Sequence, residues 1–300
     1  MSRVLVTGVD GFTGRYLAPQ LAAAGHEVHG LVQQQPAAGT PLPEGVHALH
    51  ASDLLDSEGL QRVAAAVRPD KVAHLAGIAL VSHRDVGLIY RVNLIGTRML
   101  LGALASTDAP PSAILLASSA NIYGNSTSGV LDETTTPAPA NDYGVSKLAM
   151  EYMAATWQAR LPIIVVRPFN YTGIGQSEDF LLPKIVSHFR RQAPVLELGN
   201  LHVERDFSDV RDVAASYQRL LAAPVAGQVF NVCSGEGHAL QEVLALAREI
   251  SGHEPEIRVN PAFVRANEVI KLVGSRQRLD AAIGHFPRQT LRQTLSWMLA

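Results

Sequence analysis

The alternation of short apolar runs with helix-like segments is the feature that most constrains how this chain can fold. The runs are rich in leucine and β-branched residues and are apolar throughout, as expected for strands that are covered on both faces. Strands of this kind separated by helices form right-handed β-α-β units, so the sequence predicts an α/β fold with a doubly wound parallel sheet. The clearest runs are RVLVT (3–7), HEVHGLV (26–32), KVAHLAG (71–77), AILLASS (113–119) and IIVVRPF (163–169).

Charge and cysteine content narrow the classes of partner. The 300 residues carry a formal net charge of −2 and no long run of Lys or Arg, so we expect a small-molecule ligand rather than a nucleic acid or a membrane surface. The single cysteine, Cys233, cannot form an internal disulfide, and the first residues read as a strand rather than a signal peptide, which indicates a cytoplasmic protein. The apolar runs are shorter than the roughly 20 residues of a membrane-spanning helix, so none is expected.

A glycine-rich turn follows the first predicted strand. Gly8, Gly11 and Gly14, with Phe12 between them, precede an amphipathic segment that ends at Gly25. A dinucleotide pyrophosphate needs free backbone N–H groups and the positive end of a helix, and a Cβ here would block its approach. The alternative is an ordinary tight turn, but a position after the first strand of a doubly wound pattern favours a nucleotide cofactor.

The ends of the next strands indicate how that cofactor is held. A carboxylate after the second strand would bind a ribose 2′-hydroxyl and an arginine would favour a 2′-phosphate. Gln33 and Gln34 stand there and are neutral, so the choice between NADH and NADPH stays open. The other predicted cofactor contacts are Asp53 and Leu54 at the adenine, and Leu75, Ala76 and Gly77 beside the ribose.

The segment NDYGVSKLAMEYM (141–153) places Tyr143 and Lys147 one turn apart on a predicted helix. Hydride transfer to a carbonyl leaves an alkoxide that needs a proton, and a free tyrosine, with a pKa of about 10, is a slow donor near neutrality. The Lys147 ammonium group would stabilise the phenolate and could also hydrogen-bond the nicotinamide ribose. Ser119, at the end of a strand, would orient the substrate oxygen. Such pairs also occur on solvated helix surfaces, but all three signals in this order indicate an active site.

The glycine turn, Ser119 and the Tyr143-x-x-x-Lys147 motif resemble the extended short-chain dehydrogenase/reductase family over nearly the whole chain. Members that dehydrate sugar nucleotides carry an acidic pair directly after the serine or threonine. Ala120 and Asn121 occupy those positions here. Neither side chain exchanges a proton near neutral pH, so the resemblance implies reduction or epimerisation rather than dehydration.

The regular alternation ends after residue 169, which indicates a domain boundary. We predict a dinucleotide-binding Rossmann domain over residues 1–169, with residues 206–233 returning to it, because DVRDVAASYQRLLAA reads as a helix and GQVFNVCSG as a strand. Residues 170–205 and 234–300 are assigned to a smaller C-terminal α/β lobe that binds the substrate.

Segments of the predicted lobe are similar to the GDP-mannose dehydratase and GDP-4-keto-6-deoxymannose reductase branch of that family. They are RPFNYTGIGQ (167–176), LGNLHVERDFSDVRDV (198–213) and RANEVIKLVG (265–274). In that branch an arginine followed three residues later by an acid binds the nucleotide, and Ala266 replaces the usual proline between them. Arginines suit a diphosphate and a carboxylate suits a ribose diol. The predicted substrate contacts are Asn170, Asn200, Arg205, Arg265 and Glu268.

The function predicted from this resemblance is a reductase that transfers hydride from NADPH or NADH to C4 of a GDP-4-keto-6-deoxyhexose. The product would be GDP-D-rhamnose or its C4 epimer, and a heptose substrate stays open. Alternatives are a nucleotide-sugar 4-epimerase with tightly bound NAD and a non-catalytic nucleotide-sensing protein. No His or Cys cluster has metal-ligand spacing, so no metal is expected. The resemblance also implies a homodimer formed by the tyrosine helix (142–159) and a helix near 88–106.

Overall fold

The computed structural model describes residues 2–81, 83–124, 129–264 and 269–300. Arg265 and Glu268, two of the predicted substrate contacts, lie outside these residues. The strands are β1 (Arg3–Thr7), β2 (Glu27–Val32), β3 (Ala48–Ala51), β4 (Lys71–His74), β5 (Ala113–Ala117), β6 (Ile163–Pro168), β7 (Asn170–Thr172), β8 (Val195–Leu198), β9 (Glu204–Asp209), β10 (Val229–Val232), β11 (Gly237–Ala239), β12 (Glu256–Val259) and β13 (Lys271–Leu272).

Ten α-helices occur in the described part of the chain, and a π-helical turn, Arg91–Gly96, joins two of them into one continuous helix. Short 3-10 turns form at Ala120–Tyr123 and Pro261–Phe263. The α-helices are α1 (Gly14–Ala23), α2 (Ser57–Val67), α3 (Val86–Tyr90), α4 (Thr97–Ala105), α5 (Asp142–Ala155), α6 (Leu181–Arg190), α7 (Val210–Ala222), α8 (Leu240–Ser251), α9 (Gln277–Ile283) and α10 (Leu291–Leu299).

Seven strands form one parallel sheet in the order β10-β6-β5-β4-β1-β2-β3. The order reverses between β1 and β4, so the carboxyl ends of these two strands open a crevice where such sheets bind ligands. The predicted doubly wound fold is confirmed. The apolar strands are explained by two hydrophobic cores, one beneath α1 and α7 and the other beneath α2, α4 and α5.

The smaller lobe contains two further sheets and a third core. Strand β9 pairs with β7, β11 and β13, and β8 pairs with β12. Helices α6, α8 and α10 pack together through apolar side chains such as Ile185, Val243 and Leu295. The chain passes between the large sheet and this region at β6 to β7, β9 to α7 and β10 to β11, among other places.

Several element boundaries differ from the sequence prediction. Asp206–Asp209 belongs to β9 of the lobe sheet, whereas α7 and β10 return to the large sheet, where β10 pairs with β6. Strand β4 ends at His74, because the backbone N–H groups of Leu75 and Ala76 hydrogen-bond the Thr7 hydroxyl and leave the sheet. Helix α5 ends at Ala155, four residues earlier than predicted.

Candidate active site

The glycine turn packs directly against the loop that follows β4. Gly8 has a φ of +66°, and a Cβ on it would lie 3.0 Å from the Cα of Ala76. A Cβ on Gly14 would overlap the carbonyl oxygen of Gly8. The turn therefore requires glycine at both positions, as a cradle for a pyrophosphate at the start of α1 does. The structure brings together two predicted parts of the cofactor site, the glycine turn and Leu75–Gly77.

A buried polar chain fixes the ends of β1 and β4 relative to each other. The Thr7 hydroxyl lies 2.8 Å from Nδ1 of His74, whose Nε2 lies 2.9 Å from the Thr97 hydroxyl on α4. Burial, together with the charge of Lys147, lowers the pKa of His74 to about 3. His74 is therefore a neutral structural residue at neutral pH, although it sits beside the cofactor loop.

The predicted adenine contacts follow β3. Asp53 accepts hydrogen bonds from the Gln33 side chain at 2.8 Å and from the backbone N–H of Leu55 at 2.8 Å. Its carboxylate is thus held at the crevice by the residue that follows β2. The Leu54 side chain is buried in the core beside Gly96, so it packs the helix layer beneath this loop.

The three predicted catalytic residues meet at the carboxyl end of β5. Ser119 is the N-cap of the 3-10 turn, and its hydroxyl accepts hydrogen bonds from the backbone and side-chain N–H groups of Asn121, both at 3.1 Å. It also interacts with the Tyr143 hydroxyl. Lys147 Nζ donates to the carbonyl oxygen of Ala117 at 2.8 Å. Ser119, Tyr143 and Lys147 are 5 to 7% exposed.

Burial dominates the electrostatics of this group. It raises the pKa of Tyr143 to about 12, with Ser119 lowering that pKa and Tyr171 raising it further. It lowers the pKa of Lys147 to about 8, while the negative charge of Glu151 acts in the opposite direction. Lys147 is not among the groups that shift the Tyr143 pKa in this structure, which differs from the predicted lowering of that pKa by Lys147. Tyr143 therefore carries its proton at neutral pH, although burial makes it a weaker acid than free tyrosine.

Lys147 also lies close to the cofactor loop. A Cβ on Gly77 would lie 3.5 Å from Lys147 Nζ and 2.9 Å from the side-chain oxygen of Asn93. The positive charge of Lys147 therefore lies beside the predicted ribose position. A side chain at residue 77 would fill the space between them, and glycine leaves it open. The residues present fit a nicotinamide cofactor lying from the glycine turn to Lys147.

The positions that would hold a dehydratase's acid and base carry no proton-transfer group. Ala120 is fully buried, and Asn121 uses its amide to bind Ser119. Neither an alanine nor an asparagine side chain titrates near neutrality.

The predicted substrate contacts in the described chain lie in the lobe. Asn170, on β7, makes a long side-chain contact of 3.4 Å with the carbonyl oxygen of Asp206. Arg205, on β9, is 8% exposed and donates to the carbonyl oxygens of Glu204 and Ile270. Asn200 lies in the loop between β8 and β9. These residues come from neighbouring parts of β7, β9 and the loop before β9.

The sequence patterns did not single out Asn93, Tyr171 or Lys184. The Asn93 side chain accepts a hydrogen bond from the backbone N–H of Ile78 and donates to the Ile78 carbonyl oxygen and to the Ser146 hydroxyl. It lies on a π-helical turn, which hydrophobic periodicity in the sequence does not predict. Tyr171 stacks on Phe12 and its hydroxyl lies 2.8 Å from that of Thr13. Lys184, on α6, lies 3.9 Å from the centre of the Phe263 ring. Only the basic character of Lys184 could have drawn attention to it.

The parallel sheet, the glycine turn and the buried Ser-Tyr-Lys group define a nicotinamide-dependent short-chain dehydrogenase/reductase of the extended type. Comparison with known proteins agrees with this class. A family model described as GDP-mannose 4,6 dehydratase matches residues 5–298. The chain therefore belongs to the GDP-mannose 4,6-dehydratase family, whose members include sugar-nucleotide oxidoreductases that depend on NAD(P).

Two relatives are similar over nearly their full length. The GDP-6-deoxy-D-mannose reductase of Pseudomonas aeruginosa is 36% identical, over 99% of this chain and 96% of its own. The GDP-6-deoxy-D-talose 4-dehydrogenase of Aggregatibacter actinomycetemcomitans is 33% identical, over 96% of this chain and 93% of its own.

Two solved structures share the fold over the whole chain. One, described as an epimerase from Burkholderia cenocepacia, is 53% identical with a TM-score of 0.92, over 99% of this chain and 97% of its own. RMD from Pseudomonas aeruginosa, solved in complex with NADPH, is 34% identical with a TM-score of 0.84, over 100% of this chain and 98% of its own.

Proposed function

We propose that this protein is a reductase that transfers hydride from NADPH or NADH to C4 of a GDP-4-keto-6-deoxyhexose. The observation that carries the proposal is the buried group of Ser119, Tyr143 and Lys147 next to Ala120 and Asn121. The group can protonate a newly formed alkoxide, whereas the neighbouring positions lack the acid and base that dehydration requires. A GDP-linked substrate is supported by the family and by the names of the two similar relatives.

Each residue has a role that follows from its position. A nicotinamide bound between the glycine turn and Lys147 would supply the hydride. Ser119 donates a hydrogen bond to the substrate carbonyl oxygen and holds it near Tyr143. Tyr143, protonated because burial raises its pKa to about 12, gives its proton to that oxygen. Lys147 places a positive charge beside the Tyr143 phenolate that results, and it binds the cofactor ribose.

Substrate binding is proposed for the lobe. Arg205 would bind the diphosphate, with Asn170 and Asn200 donating amide hydrogen bonds to the same group. On the basis of the sequence alone, Arg265 would add a second guanidinium and Glu268 a carboxylate for a ribose diol. We propose GDP-D-rhamnose as the product, with its C4 epimer as the alternative, since the two similar relatives are named for sugars that differ at C4.

The test combines the purified protein with a GDP-4-keto-6-deoxyhexose and follows NADPH and NADH absorbance, with NMR of the product. We expect oxidation of the cofactor and a GDP-6-deoxyhexose. With GDP-mannose and NADP⁺ we expect no keto sugar, because C5 and C6 have no proton-transfer partner. Conversion of GDP-mannose, in protein free of contaminating dehydratase, would contradict the assignment.

A 4-epimerase is the second candidate, and an epimerase of unspecified position is consistent with the 53% identical structure whose description offers that activity as a candidate one. An epimerase restores its cofactor in each cycle and keeps it bound, whereas a reductase must exchange it. We expect the purified protein to lose nicotinamide on gel filtration. Retention of stoichiometric NAD, together with interconversion of C4 epimers without added cofactor, would favour the epimerase.

We also propose a homodimer formed by the continuous helix Val86–Ala105 and α5. Apolar side chains on these two elements are exposed, among them Val86, Ile95, Val145 and, at 68%, Tyr152. The helix Val86–Ala105 is long and apolar enough to cross a membrane by length and composition. However, its buried part packs on α2 and α5, and we assign its exposed part to the second copy of a cytoplasmic dimer.

Light scattering tests the dimer. We expect twice the monomer mass for the wild type and a monomer for Tyr152→Glu, because a charge in an apolar interface is costly to desolvate. Val259→Glu, at an exposed apolar residue of the lobe, serves as the control and should stay dimeric. A monomeric wild type would contradict the proposal.

A further inference from the structure

Three successive residues at the end of β5 contact three residues that are spaced four apart on α5. Ser119 interacts with Tyr143, the Ala117 carbonyl accepts from Lys147 at 2.8 Å, and the Ser118 hydroxyl donates to Glu151 at 2.5 Å. The strand end therefore fixes the helix along its axis at three consecutive turns. The first two contacts involve catalytic residues, and the third involves a residue with no assigned role.

Glu151 forms a buried ion pair with Arg167. Its carboxylate accepts two hydrogen bonds from Arg167, at 3.0 and 2.7 Å, in addition to that from Ser118. The side chains of Glu151 and Arg167 are 9% and 8% exposed. Arg167 is itself fixed by Tyr123, at 2.9 Å. Burying such a pair costs desolvation free energy that its attraction often fails to recover, so stability alone is a weak reason for the pair.

The groups around Lys147 come from four elements. Tyr143 and Glu151 lie on the same helix, Ala117 is on β5, His74 on β4 and Asn93 on the π-helical turn. Tyr143 is protonated and His74 is neutral, so neither balances the ammonium charge. Arg167, on β6, is a cation whose charge is taken up by Glu151. Glu151 is thus the source of negative charge that acts on Lys147 in this group, one helical turn away.

We propose that Glu151 is a positioning residue for Lys147. Through Ser118 and Arg167 it fixes the turn of α5 that carries Lys147, and its charge keeps the buried amine protonated. A neutral Lys147 would lose the charge that stabilises the Tyr143 phenolate and one of its hydrogen-bond donors to the ribose. The inference rests on the proposed function only in giving Lys147 these two roles.

The test measures cofactor affinity as a function of pH, without any sugar substrate. The dissociation constant of NADPH or NADH is measured by fluorescence from pH 6 to 10 for the wild type, Glu151→Gln and Glu151→Asp. For the wild type we expect affinity to weaken above a midpoint near the Lys147 pKa of about 8. Glu151→Gln should move this midpoint to lower pH by about one unit, because it removes the opposing charge.

Control variants distinguish the effect of losing the Glu151 charge from the effect of disturbing the fold. Glu151→Asp keeps the charge, so its midpoint should stay near the wild-type value even where its affinity is lower. Glu249→Gln removes an exposed glutamate that is paired with Arg292, and it should leave the whole profile unchanged. If Glu151→Gln does not fold because Arg167 is left unpaired, Glu151→Gln/Arg167→Gln removes both members of the ion pair and should still show a downward shift.

The proposal is overturned if the folded Gln variant, or the double variant, keeps the wild-type midpoint. It is also overturned if the Gln and Asp variants lose affinity equally at every pH, which would mark a purely structural role. Because cofactor binding needs no sugar, failure of the protein to reduce a GDP-keto sugar would affect the proposed function and leave this test intact.

Discussion

The cofactor side and the substrate side of the site are built in different ways. On the cofactor side, Ser119, Tyr143 and Lys147 come from one β-α unit, are almost completely buried and are already hydrogen-bonded to the end of β5. On the substrate side, Asn170, Asn200 and Arg205 come from separate segments of the lobe, and the hydrogen bonds of Arg205 include backbone carbonyls. The first group is organised by packing within the large sheet, whereas the second depends on how the lobe folds against it.

This difference predicts which property each side controls. Burial shifts the pKa of Tyr143 upwards and that of Lys147 downwards, so the cofactor side sets protonation and hence chemistry. The proposed substrate side supplies guanidinium and amide donors, which we expect to act mainly on nucleotide affinity. Substitutions on the cofactor side should therefore change turnover and cofactor binding, whereas those on the proposed substrate side should change nucleotide binding.

The largest effect is expected for Lys147→Met. It removes both a charge and a ribose contact, so kcat should fall by more than the about 10²- to 10⁴-fold typical of losing a general acid, and KM for the cofactor should rise. Steady-state kinetics at varied cofactor concentration measure both. Lys71→Met, at the opposite end of β4, is the control. A fall in kcat with no change in the KM for the cofactor would contradict the proposed contact between Lys147 and the ribose.

Tyr143→Phe should be the next most severe change. It deletes the proton donor and keeps the ring, so kcat should fall by about 10²- to 10⁴-fold while cofactor and nucleotide affinities are retained. Single-turnover kinetics with separate binding titrations test this, with the exposed Tyr152→Phe as the matched control. If the rate is unchanged, Tyr143 has no part in the mechanism and the cofactor side does not control chemistry.

Arg205→Ala should weaken nucleotide binding on the proposed substrate side. Loss of a charged hydrogen bond is expected to weaken GDP binding by about 1.5 to 3 kcal/mol and to leave cofactor affinity unchanged. Calorimetry with GDP and with NADPH measures the two separately. Arg258→Ala removes an exposed arginine that is paired with Glu256, and it should change neither. Equal losses for both ligands would mean that Arg205 stabilises the fold rather than binding nucleotide.

The smallest predicted effect is the contribution of His74, on the cofactor side, to the pH dependence of the free energy of unfolding. Burial lowers the pKa of His74 to about 3, so the unfolded chain binds a proton below its ordinary pKa of about 6.5 while the folded protein does not. The contribution of neutral His74 is complete above pH 6.5 and is lost as the pH falls towards 3. Between pH 7.5 and 6 the free energy of unfolding should fall by about 0.8 kcal/mol from this residue.

Denaturant unfolding at both pH values measures this change in stability. His74→Gln should remove this part of the pH dependence, whereas the exposed His285→Gln should keep it. A pH dependence that is the same in both variants would mean that His74 does not contribute.

The catalytic arrangement was accessible from the sequence because its signals are local. Strand periodicity, the glycines that follow β1 and the four-residue spacing of Tyr143 and Lys147 each depend on neighbouring residues in the chain. Ser119 was found because strand ends meet at one edge of a parallel sheet, which is a property of the topology. The predicted course of β4 through Gly77 was wrong, because a hydroxyl on another strand, that of Thr7, takes the backbone hydrogen bonds of Leu75 and Ala76.

What the sequence by itself determined was therefore the fold class, the glycine turn and the residues that we propose move the proton. Only the tertiary structure decided how Lys147 and Glu151 are held against successive residues of β5, and that Tyr171 reaches Thr13 across 158 residues of chain. Hydrogen-bond directions and the burial that shifts a pKa depend on the relative placement of elements distant in sequence. Residue spacing along the chain carries no information about that placement, because packing between layers sets it.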